Sequence, residues 1–280
     1  MKNVTVVGLG LMGSSLAGAM KMNGGFRVTG VDTNPDAIGN ALSNGYIDKG
    51  MEHFVGEDEV DILFLCLYPD EIIEFIRNHR NDIGKDTIVT DISGIQGELC
   101  SRIEAEAEGI CRIGGHPLCG SEGRGHEKAT PGMFFGASYI LINTEPDRKK
   151  QLQELKDVLK AAGIGKIIEM SPGEHDRRVA VVSHLPHLIS SAFLTAFNGN
   201  DFEIHGGSFR DLARIADINP DLWTQIIKNN KMYVTEVLED FMSSLSGLKD
   251  MIDKDDYGSV YEMLEKTNEK KRSLAENENF

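Results

Sequence analysis

The sequence predicts an α/β domain with a mainly parallel sheet, followed by a domain made of helices alone. Through the first 170 residues, short β-branched runs alternate with helical stretches, and several of these runs are apolar at every position. Continuous apolar runs are typical of parallel strands that are covered on both faces. After residue 170 no convincing strand pattern follows. We therefore expect two domains, at residues 1–170 and 171–280.

The strands and the domain boundary follow from local composition. Seven segments have the composition of strands, at residues 4–7, 27–31, 61–67, 87–90, 110–113, 139–142 and 166–170. At the boundary, Ser171 is a favourable N-cap, Pro172 suits the first helical position and Glu174 suits the third. This pattern predicts that a helix begins the second domain.

Two further helical segments are expected in the second domain. Asn219-Pro220-Asp221 starts a helix in the same way, and apolar residues from Trp223 to Ile252 follow at spacings of three and four. Such a stripe predicts a packing seam, which lies either within the chain or between two subunits. A charged amphipathic helix is expected at residues 256–273.

The composition excludes several classes of protein. The 44 acidic and 29 basic residues give a net charge of -15, which disfavours binding to the phosphate backbone of nucleic acid. The four cysteines have neither the spacing of zinc ligands nor the density of a disulfide scaffold, so we expect no metal and reduced thiols. No apolar run approaches the roughly 18 residues of a membrane span, and no signal sequence is apparent. We expect a cytoplasmic protein that binds neither nucleic acid nor membrane.

A glycine-rich fingerprint, Gly8-Leu9-Gly10-Leu11-Met12-Gly13, lies between the first strand and a helical segment. The second strand ends just before Asp32, which is 19 residues beyond Gly13. In dinucleotide-binding (Rossmann-like) domains, glycines at this spacing let the backbone approach the pyrophosphate, and an acidic residue at this distance binds the adenosine ribose. The alternative is that the glycines serve only a tight turn and that Asp32 is a plain turn residue.

Asp32 also discriminates between the two nicotinamide dinucleotides. A carboxylate at the ribose would repel the 2'-phosphate of NADP, and Thr33-Asn34-Pro35 offers no arginine to neutralise that phosphate. The predicted cofactor is therefore NAD.

Two histidine-containing blocks are candidates for the chemical site. In RIGGHPLCGSEGRG, residues 112–125, His116 lies between two glycines and a proline. Imidazole has the near-neutral pKa that suits proton transfer, so His116 is a candidate base, although a structural histidine is the alternative. His184 and His187 are three residues apart on one helix face, where Pro186 should kink the helix, and a pair of core histidines is the alternative there.

These blocks, together with the fingerprint, closely resemble the prephenate dehydrogenase family over essentially the whole chain. The resemblance implies NAD-dependent oxidative decarboxylation of prephenate to 4-hydroxyphenylpyruvate in tyrosine biosynthesis, and a homodimer formed through the helical domain. His116 matches the histidine that accepts the proton of the ring hydroxyl. Activity should then rise with pH through about 6 to 7, where imidazole becomes neutral.

The resemblance also implies a set of residues that bind the substrate. Arg214, at the end of a glycine-rich turn and helix, matches the arginine that binds a prephenate carboxylate, with Arg210 as a nearby competitor. A guanidinium pairs with a carboxylate through two charge-assisted hydrogen bonds. Four further candidates share the matched blocks, and each has a purely structural alternative. They are His187, His184, Glu122 and Trp223.

One segment departs from the family pattern. Relatives show Gly-Ser followed by an apolar residue and Lys, whereas this chain has Ser93-Gly94 and then Gln96. Ser93 remains a candidate to bind the histidine or the substrate hydroxyl. Three rivals stay open: an arogenate dehydrogenase, a hydroxyacid dehydrogenase with a catalytic lysine, and a nucleotide-binding relative that has lost catalysis. The histidine blocks argue against the hydroxyacid dehydrogenase. The altered segment supports a nucleotide-binding relative that has lost catalysis.

Overall fold

The computed structural model describes residues 1–56, 59–120, 123–142, 148–196, 204 and 206–276. Residues 275 and 276 are described by their backbone alone. The chain forms two compact units, Met1–Lys231 and Met232–Phe280. All described candidate site residues lie in the first unit.

A six-stranded parallel sheet forms the centre of the first unit, in the order β3-β2-β1-β4-β5-β6. Its strands are β1 (Asn3–Val7), β2 (Arg27–Val31), β3 (Lys49–Met51), β4 (Ile62–Leu65), β5 (Ile88–Asp91) and β6 (Cys111–Arg112). The helices among them are α1 (Leu11–Asn23), α2 (Pro35–Ser43), α3 (Pro69–His79) and α4 (Gly97–Glu104). Buried apolar side chains cover both faces of the sheet, so the prediction of a parallel α/β domain is confirmed.

A second sheet of three strands places the first histidine block. It consists of β7 (Gly114–Leu118), β8 (Ser138–Ile142) and β9 (Lys166–Met170), with α5 (Lys149–Ala161) between β8 and β9. β7 runs antiparallel to β8, and His116 lies opposite Ile140. The predicted strand at 110–113 is thus split, since β6 ends at Arg112 and β7 starts two residues later in another sheet. Pro117 also lies in β7.

The helical part of the first unit begins as predicted. Ser171 caps α6 (Pro172–Val179) by accepting a hydrogen bond from Glu174 N. A π-helical turn (Ala180–His184) follows and leads into α7 (Leu185–Ala196). Pro186 has no backbone N–H, so the interruption of regular α-helix falls just before it, as expected of a proline inside a helix. The turn buries His184, which is 2% exposed.

This helical run also meets a simple test for a membrane span. Among the described residues, Pro172–Ala196 is long and apolar enough to cross a membrane by length and composition, which the sequence analysis did not anticipate. The core helix of a soluble protein passes the same test. The feature is therefore weak evidence for a membrane segment.

Two helices complete the first unit, and two make up the second. α8 (Gly207–Arg214) and α9 (Pro220–Asn229) lie in the first unit, α10 (Lys231–Asp253) begins at the unit boundary, and α11 (Tyr257–Glu276) follows it. The apolar stripe expected to run from Trp223 to Ile252 is divided between α9 and α10. The division falls at Asn230, whose buried side chain donates hydrogen bonds to Asp176 O and to His184 Nδ1.

Candidate active site

The fingerprint loop has the geometry of a dinucleotide site. Gly8 has a φ of +88°, and a Cβ there would lie 2.4 Å from the carbonyl oxygen of Cys66. A Cβ on Gly13 would lie 1.8 Å from the carbonyl oxygen of Gly8. These two glycines are required by the turn itself. Gly10 differs, because a Cβ there would meet nothing within 4 Å, so the fold does not require a glycine and the space beside it is open to a ligand.

The start of α1 and Asp32 complete this part of the site. Leu11 and Met12 open α1 immediately after Gly10, and no side chain caps this N-terminus, as suits a helix end that receives a pyrophosphate. The Asp32 carboxylate accepts hydrogen bonds from Leu9 N (2.6 Å) and Asn34 N (2.8 Å), which fix it beside the loop. The residues present therefore fit a dinucleotide.

His116 belongs to a buried chain of hydrogen bonds that the sequence analysis did not foresee. His116 Nδ1 lies 2.8 Å from His175 Nε2, and His175 Nδ1 lies 2.7 Å from Asp176 Oδ1. Both His175 and Asp176 come from α6 and are buried, with exposed fractions of 0% and 3%. No spacing rule pairs them with His116, which is 59 residues away in sequence.

The hydrogen-bonding roles in this chain follow from the ionised carboxylate at its end. An ionised carboxylate can only accept, so His175 Nδ1 carries a proton and donates it to Asp176. A neutral His175 then accepts at Nε2, and His116 Nδ1 is the donor. The remaining nitrogen, His116 Nε2, has a free lone pair and makes no hydrogen bond within the described part of the chain.

Burial keeps His116 neutral. Desolvation lowers its pKa well below the ordinary histidine value, and the neighbouring His175 and His184 rings lower it further. A neutral imidazole with an unprotonated Nε2 is what a proton acceptor requires.

Gly94, and not Ser93, is the neighbour of the free nitrogen. A Cβ at Gly94 would lie 3.7 Å from His116 Nε2. The expected hydrogen bond from Ser93 to His116 is absent from those described, and the Ser93 hydroxyl instead accepts from Ile95 N at 3.3 Å. The position facing the base therefore carries no side-chain hydroxyl, and Ser93 makes a local structural contact.

Gln96, the other residue that departs from the family pattern, forms hydrogen bonds next to the base. The Gln96 amide nitrogen donates to Asp91 Oδ1 (2.8 Å) and to the carbonyl oxygen of Gly115 (3.1 Å), next to His116. Arg112 donates to Asp91 Oδ2 (2.6 Å) and to Gln96 Oε1 (3.0 Å). Arg112 thus pairs with the buried Asp91 carboxylate, and Gln96 links that ion pair to the strand of the base.

His184 and His187 have different surroundings. Burial lowers the pKa of His184 to about 4, against an opposing effect of Asp176, and its ring bonds to Asn230 and to the Gly94 backbone. A neutral ring bonded in this way offers no positive charge to a substrate carboxylate. His187 is only partly buried and donates from Nδ1 to the Ser183 carbonyl at 2.7 Å, and no described protein group bonds to its Nε2.

The remaining predicted residues are placed as follows. The Trp223 ring packs against His187 with centroids 4.5 Å apart, and against His184 at 5.9 Å. Arg214 is exposed at the end of α8, which contacts α7 where the Ser190 hydroxyl donates to Leu212 O. Glu122 lies outside the described residues. The structure thus brings His116, His175, His184, His187 and Trp223 into one contiguous cluster.

The buried histidines make stability depend on pH. A histidine in the unfolded chain has a pKa near 6.5. Below that pH the unfolded chain therefore binds a proton that His184 in the native state does not bind. The stabilising contribution is complete above pH 6.5 and is lost as pH falls toward about 4. Between pH 7 and pH 5, His184 should lower the free energy of unfolding by about 2 kcal/mol. Urea unfolding followed by circular dichroism checks this, and a decline that is equally steep in His184→Gln would contradict it.

A parallel sheet with a dinucleotide loop, together with a partly buried, neutral histidine, is the arrangement of a nucleotide-dependent dehydrogenase. The chain belongs to the prephenate dehydrogenase family. Residues 16–169 match the family's nucleotide-binding domain and residues 171–266 match its dimerization domain. The family resemblance predicted from the sequence is confirmed.

Individual relatives agree with this assignment. The prephenate dehydrogenase of Lactococcus lactis subsp. cremoris is 29% identical over 277 residues, which are 95% of this chain and 75% of that protein. The structure of prephenate dehydrogenase from A. aeolicus, in complex with hydroxyphenyl propionate and NAD+, is similar with a TM-score of 0.90, 31% identity and 98% of each chain covered. Synechocystis arogenate dehydrogenase is similar with a TM-score of 0.81, 28% identity, and 97% of this chain and 99% of that chain covered.

Proposed function

We propose that this protein is a prephenate dehydrogenase, which converts prephenate to 4-hydroxyphenylpyruvate in tyrosine biosynthesis. The observation that carries the proposal is His116, a partly buried histidine whose pKa is lowered by desolvation and whose Nε2 is free, in the block that matches the family's proton acceptor. Arogenate dehydrogenase is the second candidate, and the similarity to the Synechocystis enzyme favours it. The two substrates differ in a side-chain ketone or amine, and no described residue separates them.

NAD is the cofactor, as the sequence predicted. The matched nucleotide-binding domain and the NAD+ in the A. aeolicus complex support it, and the open space at Gly10 with the fixed Asp32 carboxylate fits it. When bound, NAD+ would supply the acceptor for the hydride of the hydroxyl-bearing ring carbon.

The protein's own residues then accept the proton and bind the anionic groups of the substrate. His116 Nε2 accepts the hydroxyl proton as the ring carbon is oxidised. The bond to the ring carboxylate breaks, carbon dioxide leaves, and the electron pair of that bond makes the ring aromatic, after which the phenol oxygen regains a proton. Aromatisation drives the reaction, so the site needs alignment, a base and groups that bind anions.

The assay that tests the proposal follows NADH absorbance with NAD+ and each substrate in turn. We expect turnover of prephenate to exceed that of arogenate. The reverse order would establish the second candidate. Turnover of neither substrate by folded protein that binds NAD+ would refute both.

NAD+ should be preferred over NADP+ in kcat/KM by at least about tenfold, or roughly 1.4 kcal/mol. The reason is repulsion between Asp32 and the 2'-phosphate. Steady-state kinetics with both cofactors check this, and Asp32→Ala should narrow the difference. Equal use of both cofactors by the wild type would contradict it.

Arg214 is proposed to bind a substrate carboxylate. Arg214→Ala should raise the substrate KM, because it removes one charge-assisted hydrogen-bonded pair. At an exposed position such as this one, we expect the increase to be about 10- to 100-fold. The matched control is Arg210→Ala, on the same helix, which should change KM little. NAD+ affinity, measured by titration, should be unchanged in both variants, and a loss confined to NAD+ binding would reassign Arg214 to the cofactor.

Assembly and location are also proposed. The second unit carries large exposed apolar side chains, among them Met242, Leu245, Tyr261 and Leu264, and the matched family domain is described as a dimerization domain. We infer a homodimer formed through the helical domain, in the cytoplasm, with the domain boundary at residues 170 and 171. The Ser171 cap and the limits of the two family matches support that boundary.

A further inference from the structure

We propose that His175 and Asp176 are positioning residues for the base, and that they fix His116 in the tautomer whose Nε2 is free to accept a proton. This inference rests on the proposed function for its catalytic consequence. The tautomer itself is a property of the protein alone and can be measured without substrate.

With a neutral His175, the chain of contacts has one consistent direction. Asp176 accepts from His175, His175 accepts from His116, and the two bonds are 2.7 and 2.8 Å long. All three groups are in a buried environment, where a hydrogen bond of wrong polarity would leave two donors or two lone pairs facing each other. Reversing the His116 tautomer would create that conflict at His175 Nε2.

Asp176 is fixed independently of His116. Its Oδ1 accepts from Gln96 N at 2.7 Å and its Oδ2 accepts from Gly97 N at 2.8 Å, so the carboxylate binds the N-terminus of α4. Gly97 permits this approach, since a Cβ there would lie 2.8 Å from Oδ2. The backbone N–H groups of Gln96 and Gly97 hold the carboxylate in place. Asp176 is thus a rigid anchor at the end of the chain of contacts.

On the opposite side of the base, the described residues provide no comparable contact. Residue 94 faces His116 Nε2 and is a glycine, so no side-chain hydroxyl orients the imidazole from there. Among the described residues, the hydrogen bond that orients the ring therefore lies on the Nδ1 side, where His175 is the partner. The titratable groups that face His175 are Asp176 on the same helix, His116 on β7 and His184 on the π-helical turn.

Two substitutions of His175 separate positioning from packing. Glutamine can place its carbonyl oxygen near the position of Nε2, so His175→Gln keeps an acceptor for His116. Asparagine places its amide near the position of Nδ1, so His175→Asn keeps the bond to Asp176 and loses the acceptor. Both variants remove ring volume, so a purely structural residue would give similar losses in the two.

We expect kcat to fall by about 100-fold in His175→Asn and by less than about 10-fold in His175→Gln, with similar melting temperatures and unchanged NAD+ affinity. The kcat–pH profile of His175→Asn should also be displaced from that of the wild type. Equal losses of kcat in the two variants, in step with their stability, would overturn the positioning role.

The direct measurement is the tautomer of His116. Long-range ¹H–¹⁵N correlation spectra of protein labelled at histidine distinguish protonated from unprotonated ring nitrogens, and His116→Asn assigns the signal. We expect an unprotonated Nε2 in the wild type and a shift toward Nε2–H in His175→Asn. A wild-type His116 that carries its proton on Nε2 would overturn the inference even if the variants fail to fold. If the tautomer is as expected but neither substrate turns over, the proposed function fails and the tautomer assignment stands.

Discussion

Replacing His116 with asparagine is expected to lower kcat by about 10²- to 10⁴-fold, while NAD+ binding is retained. Asparagine keeps a hydrogen-bonding side chain at this position in β7, but its amide cannot accept the hydroxyl proton. Steady-state kinetics, NAD+ titration and circular dichroism of the variant together check the prediction. A folded variant with near wild-type turnover would remove His116 from the mechanism.

The pH profile of the wild type gives an independent measure of the same residue. Only neutral imidazole acts as a base, and burial beside His175 and His184 lowers the pKa of His116 well below its ordinary value. The rise of kcat/KM with pH should therefore lie below the range of about 6 to 7 that an exposed histidine would give. A rise within that range would mean that the free enzyme does not bury this ring.

The sequence was sufficient for the parts of the fold that depend on local pattern. Apolar runs predicted the parallel strands, and the Ser171 and Asn219 caps predicted where helices begin. The short strand β3 has only three residues and no apolar run, so it was missed. The split between β6 and β7 was also missed, because a change of sheet leaves no signature in periodicity.

The candidate site was predicted only where a motif marked it. His116 lies in a recognisable block, whereas His175 and Asp176 directly follow an ordinary helix start and meet His116 through tertiary packing. The cue that existed was a His-Asp pair in the first turns of α6, where charged residues are common. The role of Gln96 was also hidden, since the arginine to which it bonds comes from β6.

Replacing Arg112 with methionine is expected to lower the free energy of unfolding by about 3 to 5 kcal/mol, because it leaves a buried carboxylate without its cation. The Arg112 and Asp91 side chains are 11% and 1% exposed, and Gln96 alone cannot neutralise the charge. Urea unfolding followed by circular dichroism measures the loss. The matched control is Arg77→Met, which breaks the exposed ion pair with Glu106 and should change stability little.

A double variant identifies the cause of that loss. If the cost arises from the uncompensated charge, Arg112→Met combined with Asp91→Asn should recover much of the stability, since a neutral amide can remain bonded to Gln96. Because Gln96 also bonds to Gly115 O beside His116, the single variant should lose kcat as well as stability. A double variant that is no more stable than Arg112→Met would show that the arginine acts through packing and not through its charge.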